Sequence, residues 1–331
     1  MSETASEDSS VGEETIAVVG AGTMGHGIAV AYAVGGCTVR LYDADADALD
    51  AARAAVRGAV STLVAHDEYD LNDGGDAMDA ITYATSLPAA VDGADLVIEA
   101  VTEDREVKSS VLADVEAAVD DGTVIATNTS SLSITELGSA LDRPERFLGT
   151  HWFHPPHIVP VVEVVKGEET ADWPVDAVTG TLDRIGKRPV VVEKDIPGFI
   201  GNRIQSAMAH EAWALLNDGV ASAEDIDTAI KGTFGFRLPA LGVFEKGDHS
   251  GLDIHAKVLD ELLDEIDRGT TPSDALTRLA DEGRHGVKSG RGVYDWRDVD
   301  VDAATEARDR QLLSLLAVYH QRERPASTDD R

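Results

Sequence analysis

Basic residues are scarce in this chain. Its 331 residues hold 28 Lys and Arg against 61 Asp and Glu, a formal net charge of -33. That balance argues against DNA or RNA as a partner, because no basic stripe is present to neutralise phosphates. Cysteine is nearly absent. The single Cys37 excludes an intrachain disulfide and a cysteine-rich metal site, and its expected role is that of a small buried hydrophobe. No apolar run reaches the ~20 residues that a membrane-spanning helix needs. Residues 1–12 are acidic and Ser-rich, without the positive segment and apolar run of a secretory signal, so they read as a disordered acidic tail. Residues 323–331 read as a frayed C-terminal tail. These absences fit a reducing cytoplasm.

The acidic residues are scattered through almost every helical segment rather than gathered in one tail. Such a surface repels itself at low salt, and salt of molar strength shortens the screening length to about 3 Å. The expectation is a protein adapted to high intracellular salt, whose unfolding midpoint rises from low to molar KCl. An unchanged midpoint would contradict that expectation.

The organisation is α/β. From residue 13 to 196, short apolar runs alternate with helical patterns, the signature of a Rossmann-like domain with a mainly parallel sheet covered by helices. Strands are expected at 15–19, 38–42, 96–100, 124–127, 149–153 and 189–192, and helices at 27–34, 46–64 and 106–119. The polar interval from Ala65 to Ala77 reads as a loop between two helices. Residues 197–322 read as an all-α domain, with helices at 201–216, 223–231, 252–266 and 276–280. Ser222 and Asp225 are spaced as a capping box, and Leu312, Leu315, Leu316 and Tyr319 form an apolar stripe on a last helix.

The sharpest motif is Gly20-Ala21-Gly22-Thr23-Met24-Gly25, which follows an apolar strand and opens a small-residue helix. In that context each glycine serves a distinct purpose. Gly20 makes the tight turn, Gly22 lets the backbone approach a pyrophosphate, and Gly25 lets the helix pack closely. The phosphates would meet the free N–H groups at the helix start. Asp43 closes the next strand, where its carboxylate can bind both ribose hydroxyls and would repel a 2′-phosphate. NAD is therefore favoured over NADP, although Arg40 lies nearby.

Hydride transfer is the default chemistry of a dinucleotide domain, and the protein must supply an acid–base group. Asn128-Thr129-Ser130-Ser131 follows a strand, where open parallel sheets place their ligands. His151-Trp152-Phe153-His154-Pro155-Pro156 sets two histidines in or just after another strand, and Glu163 follows in a region whose prolines imply a shaped turn. Asn202 stands near the start of a helix at the domain junction. Plainer readings stand beside these: His151 as a satisfied polar residue, and Ser130 and Asn202 as helix caps. The pair His151 and His154 lacks a third ligand for zinc, and no G-x-S-x-G elbow surrounds Ser130.

With these motifs, the chain resembles the NAD-dependent L-3-hydroxyacyl-CoA dehydrogenase family from about Thr15 to Trp296. The linked motifs are the glycine span, Asn128 to Leu132, the His151 to Glu163 segment, Pro197 to Arg203, Glu224 to Asp227 and Gly290 to Tyr294. The resemblance implies His151 as catalytic base, Glu163 as its carboxylate partner, and Ser130 and Asn202 as polar residues that hold the substrate oxygen and order the site. It implies a cofactor site of Gly20, Gly22, Thr23, Met24, Gly25 and Asp43, with Glu103, Lys108 and Asn128 near the cofactor. It also implies a homodimer through the C-terminal domain. Arg53 and Arg57 are the candidates for contact with CoA phosphates, although surface arginines also balance an acidic face. This chain departs from the family in carrying His154 where Asn is usual, and in the segment Pro239 to Glu245.

The reading is an NAD-dependent oxidation of L-3-hydroxyacyl-CoA to 3-oxoacyl-CoA and its reverse, short-chain as for 3-hydroxybutyryl-CoA. Two alternatives stand beside it. One is the same chemistry on a free hydroxyacid of the carnitine or sugar-acid kind. The other is a noncatalytic NAD-binding structural or regulatory protein.

Overall fold

The β-branched runs pair into one eight-stranded sheet in the computed structural model, which describes residues 14–66 and 74–320. The strands are β1 (Thr15–Val19), β2 (Thr38–Tyr42), β3 (Ile81–Ala84), β4 (Leu96–Glu99), β5 (Val124–Thr127), β6 (Phe147–Trp152), β7 (Val161–Val165) and β8 (Arg188–Val192). Their spatial order is β3-β2-β1-β4-β5-β6-β7-β8. Strands β1 to β6 run parallel, β7 reverses against β6, and β8 runs parallel to β7. Every residue of β4 and β5 is buried, as a parallel sheet covered on both faces requires. The helices that follow the strands are α1 (Thr23–Val34), α2 (Ala46–Val64), α3 (Gly75–Asp79), α4 (Leu87–Val91), α5 (Arg105–Glu116), α6 (Ile134–Gly138) and α7 (Asp172–Arg184). Ala17, Val97, Leu112, Ile125 and Phe147 belong to the core between sheet and helices.

The structure differs from the sequence expectation in two respects. Strands β3 and β7 are additional; the prolines at 155, 156 and 160 had disguised the Val161–Val165 strand as part of a turn. Helix α1 starts at Thr23 rather than Gly27, because the glycine motif itself forms the first turn. The expected tails at 1–12 and 323–331, and residues 67–73 of the expected loop, lie outside the described residues.

The described chain divides into two compact units, the first ending at Asn202 and the second beginning at Arg203. The break falls inside α8 (Gly201–Asn217). The second unit continues with α9 (Ala223–Ile230), a π-helical turn at Lys231–Gly235, α10 (Val243–Ser250), α11 (Leu252–Leu262), α12 (Asp274–Asp281) and α13 (Val301–His320). Ser222 caps α9, accepting from the Asp225 N–H at 3.1 Å. The unit is mainly helical, and its glycine-rich segment forms isolated bridges from Gly286 to Arg291 and from Arg291 to Asp295. Tyr294 ties that segment to α9 by donating to Asp227 at 2.9 Å. On α13 the buried leucines are Leu313 and Leu316, while Leu315 of the expected stripe is 49% exposed.

Candidate active site

The glycine turn between β1 and α1 is fixed by contacts that tolerate no side chain. Gly20 sits at φ +107°, and a Cβ there would lie 2.7 Å from the Ala100 carbonyl oxygen. A Cβ on Gly25 would lie 1.7 Å from the Gly20 oxygen, so Gly25 protects the turn itself as much as the packing of α1. Gly22 faces open space, with nothing within 4 Å of its would-be Cβ. Three of the other helices around the sheet use side-chain caps, Asp45 on α2, Asp104 on α5 and Ser133 on α6, while α3, α4 and α7 have none. Helix α1 begins at Gly22, also with no side-chain cap. An uncapped N-terminus beside an open glycine fits a dinucleotide diphosphate, with Thr23 and Met24 in the first turn.

Asp43, just beyond β2, braces this cradle. One carboxylate oxygen accepts the Ala21 N–H at 2.8 Å and the other accepts the Asp45 N–H at 3.0 Å. Arg40 turns away, donating to the carbonyls of Ala90 and Asp92. Its guanidinium is thereby engaged at the end of α4, and the positive charge that would have suited a 2′-phosphate is held elsewhere.

At the ends of β4 and β5 lies a buried charge network. The Lys108 side chain is fully buried, and its ammonium donates to both carboxylate oxygens of fully buried Glu99, at 2.8 and 3.0 Å. Glu99 also accepts from Thr127 Oγ1 at 2.6 Å and from the Val101 N–H at 2.7 Å. Lys108 reaches the carbonyls of Val101 and Asn128, and Glu103 lies 3.7 Å away. The structure therefore seals Lys108 inside the protein as the central cation of a scaffold. Glu99, which ends an apolar strand, was overlooked in the sequence, though an acid closing a buried strand was the available signal.

Glu103 carries that scaffold to the loop after β5. Its Oε1 faces five donors: Thr129 Oγ1 at 2.6 Å, the N–H groups of Ser130 and Ser131 at 2.9 and 3.1 Å, and both serine hydroxyls at 3.2 Å. Burial pushes the Glu103 carboxyl up, but the hydrogen bonds from Thr129 and Ser130 and the Lys108 charge outweigh it and hold the group below its ordinary value. Five donors exceed what one oxygen can accept. The two hydroxyls are its longest contacts, so those of Ser130 and Ser131 are the groups most easily released. Asn128 accepts from the Trp152 N–H at 3.2 Å, linking this loop to β6.

Strands β6 and β7 then supply the acid–base pair. Their antiparallel register sets His151 directly opposite Glu163, and Nδ1 of His151 lies 2.6 Å from Glu163 Oε2. The carboxylate can only accept, so Nδ1 carries a hydrogen, and in the neutral ring Nε2 is the nitrogen with the lone pair. The other oxygen, Oε1, accepts the N–H groups of Ile200 and Gly201 at 3.0 and 2.8 Å. Both side chains are nearly buried. Phe153 and Phe199 flank the imidazole, with ring centroids 4.4 and 5.6 Å away. Gly201 is needed for that wall, since a Cβ there would lie 2.5 Å from the Phe153 ring. Asn202, in the first turn of α8, donates to the Ser130 carbonyl at 3.3 Å, a bond to the loop after β5 rather than a helix cap. His154 is exposed on the loop after β6.

Two sequence candidates are not brought to this site. Arg53 lies over the Tyr83 ring at 3.8 Å and within 3.7 Å of Asp50. Tyr83 is on β3, five strand spacings from β6, or about 24 Å across the sheet. Arg57 is exposed one turn further along the same helix, α2. Conversely, Lys187 was not anticipated. It is buried behind β6 with its ammonium on the carbonyls of Pro156 and Val159 at 2.7 and 2.9 Å. Burial pulls its pKa down to about 7. Its neutral amine still has two hydrogens for those two carbonyls.

An uncapped, glycine-lined helix start and a buried His–Glu pair, both set on a mainly parallel sheet, define a nicotinamide-dependent dehydrogenase. The comparisons with known proteins give its family. The chain belongs to the 3-hydroxyacyl-CoA dehydrogenase family, matching its NAD binding domain over residues 15–196 and its C-terminal domain over residues 198–296. It is an NAD-dependent oxidoreductase of that superfamily. Among its relatives, 5-formyl-3-hydroxy-2-methylpyridine 4-carboxylate 5-dehydrogenase of Mesorhizobium japonicum is 33% identical over 93% of this chain and 99% of the relative. A crystal structure of an enzyme of that name, described as an NAD+-dependent dismutase, overlays 94% of this chain and 99% of its own at a TM-score of 0.88. The 3-hydroxybutyryl-CoA dehydrogenase of Bradyrhizobium diazoefficiens is 36% identical, covering 85% of this chain and 95% of the relative. The (S)-3-hydroxybutyryl-CoA dehydrogenase of Ralstonia eutropha is 34% identical and overlays 86% of this chain and 99% of its own at a TM-score of 0.70.

Proposed function

We propose that this chain transfers a hydride between NAD and a free hydroxy or carbonyl acid that carries no CoA. The observation that carries this reading is the near full-length overlay, at a TM-score of 0.88, with an enzyme whose named substrate is a formyl-bearing pyridine carboxylate. The CoA-linked enzyme of Ralstonia eutropha overlays at 0.70. The second reading is oxidation of a short-chain L-3-hydroxyacyl-CoA such as 3-hydroxybutyryl-CoA, favoured by the 36% identity to the Bradyrhizobium enzyme.

The chemistry assigned to the residues is the same for both. NAD supplies the hydride acceptor when bound, held by Gly20, Gly22, Thr23, Met24 and Gly25, with Asp43 at the adenosine ribose. Nε2 of His151 takes the hydroxyl proton as the alcohol is oxidised, and returns it when the carbonyl is reduced. Glu163 fixes the tautomer and stabilises the imidazolium. Ser130 turns its hydroxyl from Glu103 to the substrate oxygen. Asn202 holds the Ser130 carbonyl, while Glu103, Lys108 and Asn128 hold the loop from beneath.

Loss of NADH absorbance with acetoacetyl-CoA, free acetoacetate and a pyridine carboxylate bearing an aldehyde separates the two readings. A free acid is expected to exceed the thioester in kcat/KM by about tenfold or more, or ~1.4 kcal/mol of transition-state binding. Turnover of the thioester alone would transfer the assignment to the CoA-linked reading.

We also propose that the second unit pairs with a second copy of the chain. Phe236 is 79% exposed, Phe244 87% and Leu252 62%, more large apolar surface than a solvated face ordinarily carries. Sedimentation is expected to give twice the monomer mass. A monomer at micromolar concentration would contradict this.

A further inference from the structure

The first turn of α1 carries an imidazole that the reaction described above does not use. His26 lies one helical turn after Gly22, on the same side of the helix. Helical side chains lean toward the N-terminus, and Nδ1 of His26 is 2.8 Å from the Gly22 carbonyl oxygen. The ring is thus tethered to the glycine whose open face admits the diphosphate. It is half-buried there.

A doubly anionic ligand entering a protein of net charge -33 needs a local positive group. The basic side chains at the neighbouring strand ends are engaged elsewhere. Arg40 holds carbonyls at the end of α4, Lys108 is sealed against Glu99, and Arg105 pairs with Glu136. The titratable groups on the elements around this turn are Asp43 after β2, Glu103 after β4, and His157 on the loop that packs against Gly27.

We infer that His26 is a further ligand of the dinucleotide diphosphate, taking up a proton as the cofactor binds. A carbonyl oxygen only accepts, so Nδ1 of the neutral ring carries the hydrogen and Nε2 is an acceptor that a phosphate oxygen would repel. Protonation from solvent at Nε2 turns that nitrogen into a charged donor while the Gly22 bond stays in place. Burial holds the free ring below its ordinary value, against the raising effect of the Gly22 bond. A diphosphate beside it favours the charged form. Cofactor affinity therefore falls as pH rises from the free-state to the bound-state pKa of this ring, and is level above and below that window.

The test is the dissociation constant of NADH for the full-length protein from pH 5.5 to 8.5 at constant ionic strength, with ADP and adenosine as parallel probes. About a tenfold weakening of NADH and ADP across the window is expected, the low end of what a neighbouring opposite charge produces. Adenosine should show none, and His26→Gln should flatten the NADH and ADP profiles. A second readout needs no substitution in the measured sample: the His26 ring, assigned in the NMR spectrum, should titrate at higher pH once ADP is bound. A wild-type profile shared by His26→Gln, or a ring titration that ADP leaves unmoved, overturns the inference.

Discussion

Replacing Glu163 with glutamine is expected to slow hydride transfer by roughly 10³–10⁴-fold while leaving NADH binding and the fold intact. The reason lies in how the carboxylate divides its work. Oε1 accepts two backbone N–H groups, from Ile200 and Gly201, and only an oxygen can satisfy them. In Glu163→Gln the amide oxygen must therefore take that place, which turns the amide NH₂ toward His151. The NH₂ then donates to Nδ1, and the ring's own proton moves to Nε2, the nitrogen needed as base. A comparable tautomer reversal in a serine-protease triad costs about 10⁴ in kcat. His151→Gln should fall within the 10²–10⁴ range of a lost general base. Single-turnover oxidation of NADH, alongside NADH titration by fluorescence, checks both. Wild-type rates in Glu163→Gln would remove the pair from the reaction.

The second large effect is on stability. Lys108→Met should destabilise the first unit by about 3–5 kcal/mol, the cost of leaving a buried charge without its partner. Glu99 would keep the Thr127 hydroxyl and the Val101 N–H but lose the cation shared by both its oxygens, and Glu103 would lose its nearest positive charge. For a unit of this size that is a fall of roughly 6–20 °C in Tm. The double variant Glu99→Gln with Lys108→Met removes two opposite charges together, and should recover part of the loss. Calorimetry of wild type, both single variants and the double variant closes the cycle. Equal Tm for wild type and Lys108→Met would show that the network carries no stability.

How far these sites were legible depended on whether local sequence set the geometry. The Gly20–Gly25 turn was readable because its constraints are steric and close in sequence: Gly25 shields the Gly20 oxygen five residues back. Helix α5 and strands β4 and β5 were readable from apolar spacing. The pairing of His151 with Glu163 was visible as a resemblance, but its cause was not, since it depends on a strand reversal at β7 hidden among prolines. Lys108 and Glu99 were harder still. Nine residues separate them in sequence, and only the approach of α5 to the end of β4 brings their charges to 2.8 Å. The contact of Arg53 with Tyr83 was not legible either, because a surface arginine on a helix gives no sign of which strand edge it will face; here that edge is β3. Lys187 gave no local signal, because the carbonyls it meets lie 28 and 31 residues away.

The central claim is hydride transfer between the nicotinamide and an unesterified carbonyl acid, with His151 handling the proton. Its most direct test is incubation with NADH deuterated at C4 and the free carbonyl acids, followed by mass spectrometry of the products. The expected result is one deuterium on the former carbonyl carbon with wild-type protein, and labelling slowed at least a hundredfold in His151→Gln. NADH that binds yet passes no deuterium to any free acid, or that labels only the CoA thioester, would contradict it.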